Sequence, residues 1–113
     1  MAVFNFSALF DTLKTGVIAL VKKTLKNCIE AGKADGQKML DELKEKLDRW
    51  TTQLLQGNIT KEDFEWLLYS QKQLVVMTAL KEAGLGQIEA DLFKANVLNL
   101  IKDTVFKALP AAI

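Results

Sequence analysis

The chain predicts an all-α protein, and its punctuation and periodicity are what predict it. Its one proline, Pro110, falls near the C-terminal end, and its six glycines cluster at a few places. Long stretches compatible with helix are left between them. Within those stretches apolar residues recur three and four apart, the repeat of an amphipathic helix. At 113 residues, 50% apolar and 26% charged, the chain suits a single domain, 1–113, with its own core. Four amphipathic helices are expected, at about 6–31, 37–56, 61–83 and 87–109.

In the first segment Phe6, Leu9, Phe10, Leu13, Val17, Leu20, Val21 and Cys28 form an apolar stripe, with Lys22, Lys23 and Lys26 on the opposite arc. Gly32 and Gly36 bracket Lys33-Ala34-Asp35 and are expected to supply a C-cap and a short turn. The second segment carries Leu40, Leu43, Leu47, Trp50 and Leu54 on a narrow seam. Opposite charges four apart, Glu42 with Lys46, Glu45 with Arg49 and Lys44 with Asp48, suit a solvated outer face. Gly57 is expected to stop this helix.

The third segment has the clearest start signal. Thr60 is placed as N-cap, Asp63 three residues on as its capping-box partner, and Ile59 as a staple toward Phe64, so the helix should begin at Lys61. The same residues spell the glycosylation acceptor Asn58-Ile59-Thr60, for which capping is the preferred explanation. This segment has two apolar faces. Phe64, Leu67, Leu68, Leu74, Val75 and Thr78 make one, and Trp66, Tyr69, Val76, Met77 and Leu80 make another. Gly84-Leu85-Gly86 suits a Schellman ending with Gly84 in the left-handed position. The fourth segment is apolar almost all round, with Ile88, Leu92 and Phe106 on one side, and such a helix calls for cover on most sides. Four helices of this length joined by short turns suit an antiparallel up-and-down bundle, or elongated helical hairpins packed in an oligomer.

Composition restricts the function. There is no histidine, so the usual general base near neutral pH and the commonest zinc ligand are both missing. The net charge of +1 argues against nucleic acid as a partner. Asp41, Glu42, Glu45 and Asp48 each lie beside a lysine or arginine and read as a solvated face rather than a cation site. Cys28 falls on the apolar arc with no cation to activate its thiol. Ser7 and Ser70 lie in no nucleophile elbow, and the glycines match no phosphate-binding pattern. No catalytic residue, cofactor or metal is therefore expected. The lone cysteine, and an N-terminus with no basic run ahead of its apolar residues, point to the cytoplasm.

The expected function is a non-enzymatic, self-associating helical module. Trp66, Tyr69, Gln73, Met77 and Leu80 on the second face of the third helix are the expected interface, with the fourth helix contributing, and a homo-oligomer is the expected partner. The alternative is a membrane-surface or lipid-binding protein. In that reading Phe4, Phe6 and Phe10 enter the bilayer interface and Lys22, Lys23 and Lys26 meet anionic headgroups. A third reading is a carrier of a small apolar ligand within the bundle.

Overall fold

The computed structural model describes residues 5–109. Among them are α1 (Phe6–Thr24), α2 (Ile29–Leu55), α3 (Lys61–Ser70), α4 (Thr78–Glu82) and α5 (Gln87–Ala108), with a 3₁₀ turn at Gln71–Gln73 between α3 and α4. No strand occurs among the described residues. The all-α architecture is an up-and-down bundle of four arms whose third arm is split into α3 and α4. Side-chain meetings set the directions. A β-carbon on Gly36 would touch Val17 and one on Gly32 would touch Val21, so α1 and α2 are antiparallel. Phe64 meets Phe106, and Tyr69 donates its hydroxyl hydrogen to Asn99 Oδ1, so α3 is antiparallel to α5. Trp50 meets Phe64 edge-on, and Asp35 reaches Ala79, so α2 runs antiparallel to the whole third arm. The molecule measures 46 × 24 × 19 Å, its length set by α2.

The core is one cluster that draws on every arm: Leu13, Val17 and Val21 from α1, Leu40, Leu43 and Leu47 from α2, Phe64 and Leu68 from α3, and Phe93, Val97 and Ile101 from α5. Three local signals behave as the sequence indicates. Asp63 N–H donates to Thr60 Oγ1 at 3.1 Å and Thr60 N–H to Asp63 Oδ2 at 3.0 Å, a complete capping box that starts α3 at Lys61. Gly57 and Gly84 take positive φ, +76° and +93°. In both turns the paired backbone bonds of a Schellman motif close the helix end: Gly57 to Leu54 and Asn58 to Gln53, then Gly84 to Lys81 and Leu85 to Leu80.

The helix boundaries differ at two places. The first turn is not at Gly32–Gly36 but at Leu25–Cys28, and α2 runs straight through both glycines. The reason is packing. A β-carbon on Gly36 would lie 2.5 Å from a Val17 methyl, and one on Gly32 would lie 2.8 Å from methyls of Val21 and Leu25, so these glycines let α1 and α2 come close. Cys28, expected on the stripe of the first helix, is half-buried at the N-cap of α2.

The second difference is the break after Ser70, where a continuous helix 61–83 is expected. Hydrophobic phase explains it. At about 100° per residue, Met77 and Leu80 lie roughly 220° and 160° around the axis from Phe64, on the side away from the core, while Gln71, Thr78 and Glu82 would point inward. The 3₁₀ turn and the extended link that follows reset the phase, so that Met77 and Leu80 become buried and Val75 remains so. Side chains of the other arms hold the reset in place. Asp35, only 3% exposed, accepts hydrogen bonds from Ala79 N–H at 3.0 Å and Leu80 N–H at 2.7 Å, capping α4 from another helix. Lys94 Nζ donates to the Lys72 carbonyl at 2.9 Å, and Lys46 Nζ to Gln71 Oε1 at 2.6 Å.

The outer face of α2 is solvated, but its three expected charge pairs do not form. Glu42 pairs instead with Lys38 at 4.0 Å, Lys46 is drawn to Gln71, and Lys44 lies over the Phe10 ring at 5.1 Å.

Candidate functional site

With the core assigned, the candidate site is what the fold leaves apolar and uncovered. Six large apolar side chains among the described residues are exposed: Ile18, Trp66, Leu74, Val76, Ile88 and Leu92. Three of them come from the split third arm and two from the first turns of α5. They belong to two separate regions of the fold, and each corrects one expectation from the sequence.

The first surface contains Trp66, 71% exposed on α3. Of the five residues expected to form one interface, the structure does not keep them together. Trp66 and Gln73 face water, Tyr69 is half-buried and bonded to Asn99, and Met77 and Leu80 lie in the core. The continuous second face exists only on an unbroken helix, and the phase reset folds half of it inward. Leu74 and Val76, flanking the buried Val75, are exposed in its place.

The second surface lies at the end of the bundle where α1 leads into α2 and α4 into α5. A groove of about 360 Å³ there is lined by Leu25, Cys28, Leu85, Leu92 and Phe93, together with Thr24, Lys26, Asn27, Glu89 and Asn96. Ile88, 85% exposed, stands one helical turn before Leu92, 61% exposed, on the same face of α5. Further along that face come Asn99 and Asp103 and then Phe106, which is half-buried against Phe64 of α3, so the exposed apolar part is confined to this end. The sequence placed Ile88 and Leu92 on one side of the fourth helix and called for cover, but no arm of the bundle lies over them.

The expected lipid-facing set is likewise divided. Phe10 is buried, its ring flanked by the ammonium groups of Lys14 at 5.2 Å and Lys44 at 5.1 Å. Phe6 is half-buried with its ring 5.9 Å from that of Phe10, and Phe4 lies outside the described residues. The apolar stripe of α1 is thus a core face. Lys22 and Lys23 are exposed in the last turn of α1, at its opposite end from the phenylalanines, and the exposed Lys26, just past that end, lines the groove.

Chemistry beyond apolar contact is sparse. Among the described residues no three Cys, Asp or Glu side chains converge as a metal-holding group. No described helix is long and apolar enough to cross a membrane. The buried polar side chains Asp35, Thr51, Gln71 and Lys94 all have hydrogen-bond partners within the fold, which accounts for them structurally. The chain matches no protein-family model, no curated protein and no solved structure.

Proposed function

We propose that the protein is a non-enzymatic helical module that associates with other copies of itself through the exposed apolar residues of its third arm. The observation that carries this reading is Trp66, which a regular, capped helix holds 71% exposed, with Leu74 and Val76 exposed a few residues on. Tryptophan is among the residues most enriched at interface centres, and rigid presentation on a helix lowers the entropy lost on contact. Gln73 and the outer edge of Tyr69 border the same arm, so three of the five residues expected from the sequence stay in the proposed contact.

The non-enzymatic part rests on the residue inventory, which offers no histidine and a single cysteine. That unpaired cysteine also favours the cytoplasm as the protein's location. The test is the solution mass by light scattering across a wide concentration range. A multiple of 12.6 kDa is expected, falling to the single-chain mass in Trp66→Ser/Leu74→Ser. A single-chain mass throughout for the unmodified protein would overturn the proposal.

A further inference from the structure

We propose that the third arm has two states: broken in the single chain, and straightened in a dimer into one helix over 61–83 that pairs antiparallel with the same arm of a second copy, an arrangement that rests on the self-association proposed above. The backbone groups at the break carry this. A continuous helix would join the Lys72 carbonyl to Val76 N–H, and the carbonyls of Val75 and Val76 to the N–H groups of Ala79 and Leu80. In the fold, side chains of other arms hold three of those groups. Lys94 Nζ donates to the Lys72 carbonyl at 2.9 Å, and Asp35 accepts from Ala79 N–H at 3.0 Å and Leu80 N–H at 2.7 Å. Val76 N–H has no acceptor among the described residues. Neither glycine nor proline lies between 61 and 83, so nothing in the segment itself prevents these bonds from closing locally. The break is imposed by tertiary contacts, and releasing them returns the segment to helix.

Straightening reassembles the divided face. At about 100° per residue, Trp66, Tyr69, Gln73, Met77 and Leu80 fall within an arc of about 80° on the side opposite Phe64. Their spacing is three, four, four, three, and so reads the same in both directions from Gln73. A two-fold contact matches each position with its mirror image. Two antiparallel arms would therefore set Trp66 on Leu80, Tyr69 on Met77, and Gln73 on its own counterpart, an amide that both donates and accepts. Charge favours the same direction. The acidic first turn of α3, Glu62 and Asp63, comes opposite Lys81 of the second copy, whereas a parallel pair would set those carboxylates against themselves. Val75 stays on the core side in either state. Met77 and Leu80 exchange the cover of the core for that of a second copy, so protein concentration selects the state.

Light scattering and amide hydrogen exchange over one concentration series test this. The assembled mass should be twice 12.6 kDa, and the Val76 and Met77 amides should become protected only as the dimer forms. Val76→Pro removes an N–H that the broken arm leaves unused and the straight arm requires. It should weaken dimerisation at least about a hundredfold while the helical circular dichroism of the single chain stays unchanged. Val76→Ala is its control and should dimerise much as the unmodified protein does. Asp35→Ala removes the acceptor that holds the break and should strengthen dimerisation about tenfold, the worth of about one net hydrogen bond. Lys81→Glu should weaken dimerisation, and Glu62→Lys/Lys81→Glu should restore it; both positions are exposed, so the fold is unaffected. A single-chain mass at every concentration would overturn this dimer together with the self-association it rests on. A dimer whose Val76 and Met77 amides stay unprotected, or that Val76→Pro leaves unchanged, would overturn the straightening alone and leave association through the exposed residues of α3 standing. A loss in Lys81→Glu that Glu62→Lys does not restore would overturn the antiparallel pairing.

Discussion

α2 and the third arm run antiparallel along one another, and they treat local helix signals in opposite ways. α2 carries two glycines, Gly32 and Gly36, near its start and continues unbroken for 27 residues. The segment from Lys61 to Ala83 contains neither glycine nor proline, yet its α-helix stops after Ser70. Propensity alone would reverse both outcomes, at a cost of up to about 1 kcal/mol for each interior glycine. Burial decides instead. Glycine at 32 and 36 lets the valines of α1 close onto α2, and the break moves Met77 and Leu80 from the outer side of a helix into the core while Val75 stays buried. Burying each large apolar side chain contributes about 1.5–3 kcal/mol, which outweighs the few backbone bonds that the break forgoes and that Asp35 and Lys94 partly replace.

The sharpest way to break this comparison is to remove what the phase reset buries. Leu80→Ala should destabilise the fold by about 3 kcal/mol, as expected for a fully buried leucine, whereas Trp66→Ala, on the same expected face, should change monomer stability by under about 0.5 kcal/mol. Chemical denaturation measured at a concentration where the protein is monomeric separates the two. Equal effects would mean that the third arm is a continuous helix in solution and that its second face is covered by something else.

What the sequence made legible follows from the range of each signal. The capping box at Thr60 and Asp63, and the left-handed turns at Gly57 and Gly84, are completed within about six residues of chain, so reading them required no knowledge of the fold. The role of Gly36 is set by Val17 on another helix, and nothing within a few residues of Gly36 distinguishes a close-approach glycine from a cap. The doubled face of the third segment was visible in the sequence, but it admits two solutions. A second copy could cover the outer residues, or the chain could break and turn them inward, and for Met77 and Leu80 the fold takes the second. For the candidate sites, the exposed lysines and Trp66 were identified by residue type and pattern. The exposure of Ile88 and Leu92 was not, because it depends on how many arms surround α5.

Asp35 is the long-range counterpart of a local cap, and its removal should have the next largest effect. Asp35→Ala leaves the Ala79 and Leu80 N–H groups without their acceptor in a buried place and should cost about 2 kcal/mol. Asp35→Asn, which keeps one acceptor oxygen, should cost less. Amide hydrogen exchange would localise the effect: faster exchange in α4 with α3 unchanged is the expected pattern. Uniform acceleration along the third arm would instead show that α3 and α4 unfold as one unit and that the break has no independent anchor.

The smallest expected effect is the most discriminating, because two contributions of similar size oppose each other. Gly36→Ala lies in the interior of α2, where alanine is favoured over glycine by about 0.5–1 kcal/mol. At an unconfined helical site that difference would appear as added stability. At Gly36 the new β-carbon would lie 2.5 Å from a methyl of Val17, a β-branched side chain whose rotamer is fixed by its helix, so the arms must separate or Val17 must strain. Overpacking of this kind costs about 1–3 kcal/mol, so a net loss of about 1 kcal/mol is expected from the denaturation midpoint. Pairing the change with Val17→Ala should recover the alanine gain at Gly36, because the methyl that blocks the β-carbon is gone and the two substitutions are then non-additive. If Gly36→Ala alone stabilised the protein, α1 would not approach α2 this closely, and local propensity would govern α2 after all.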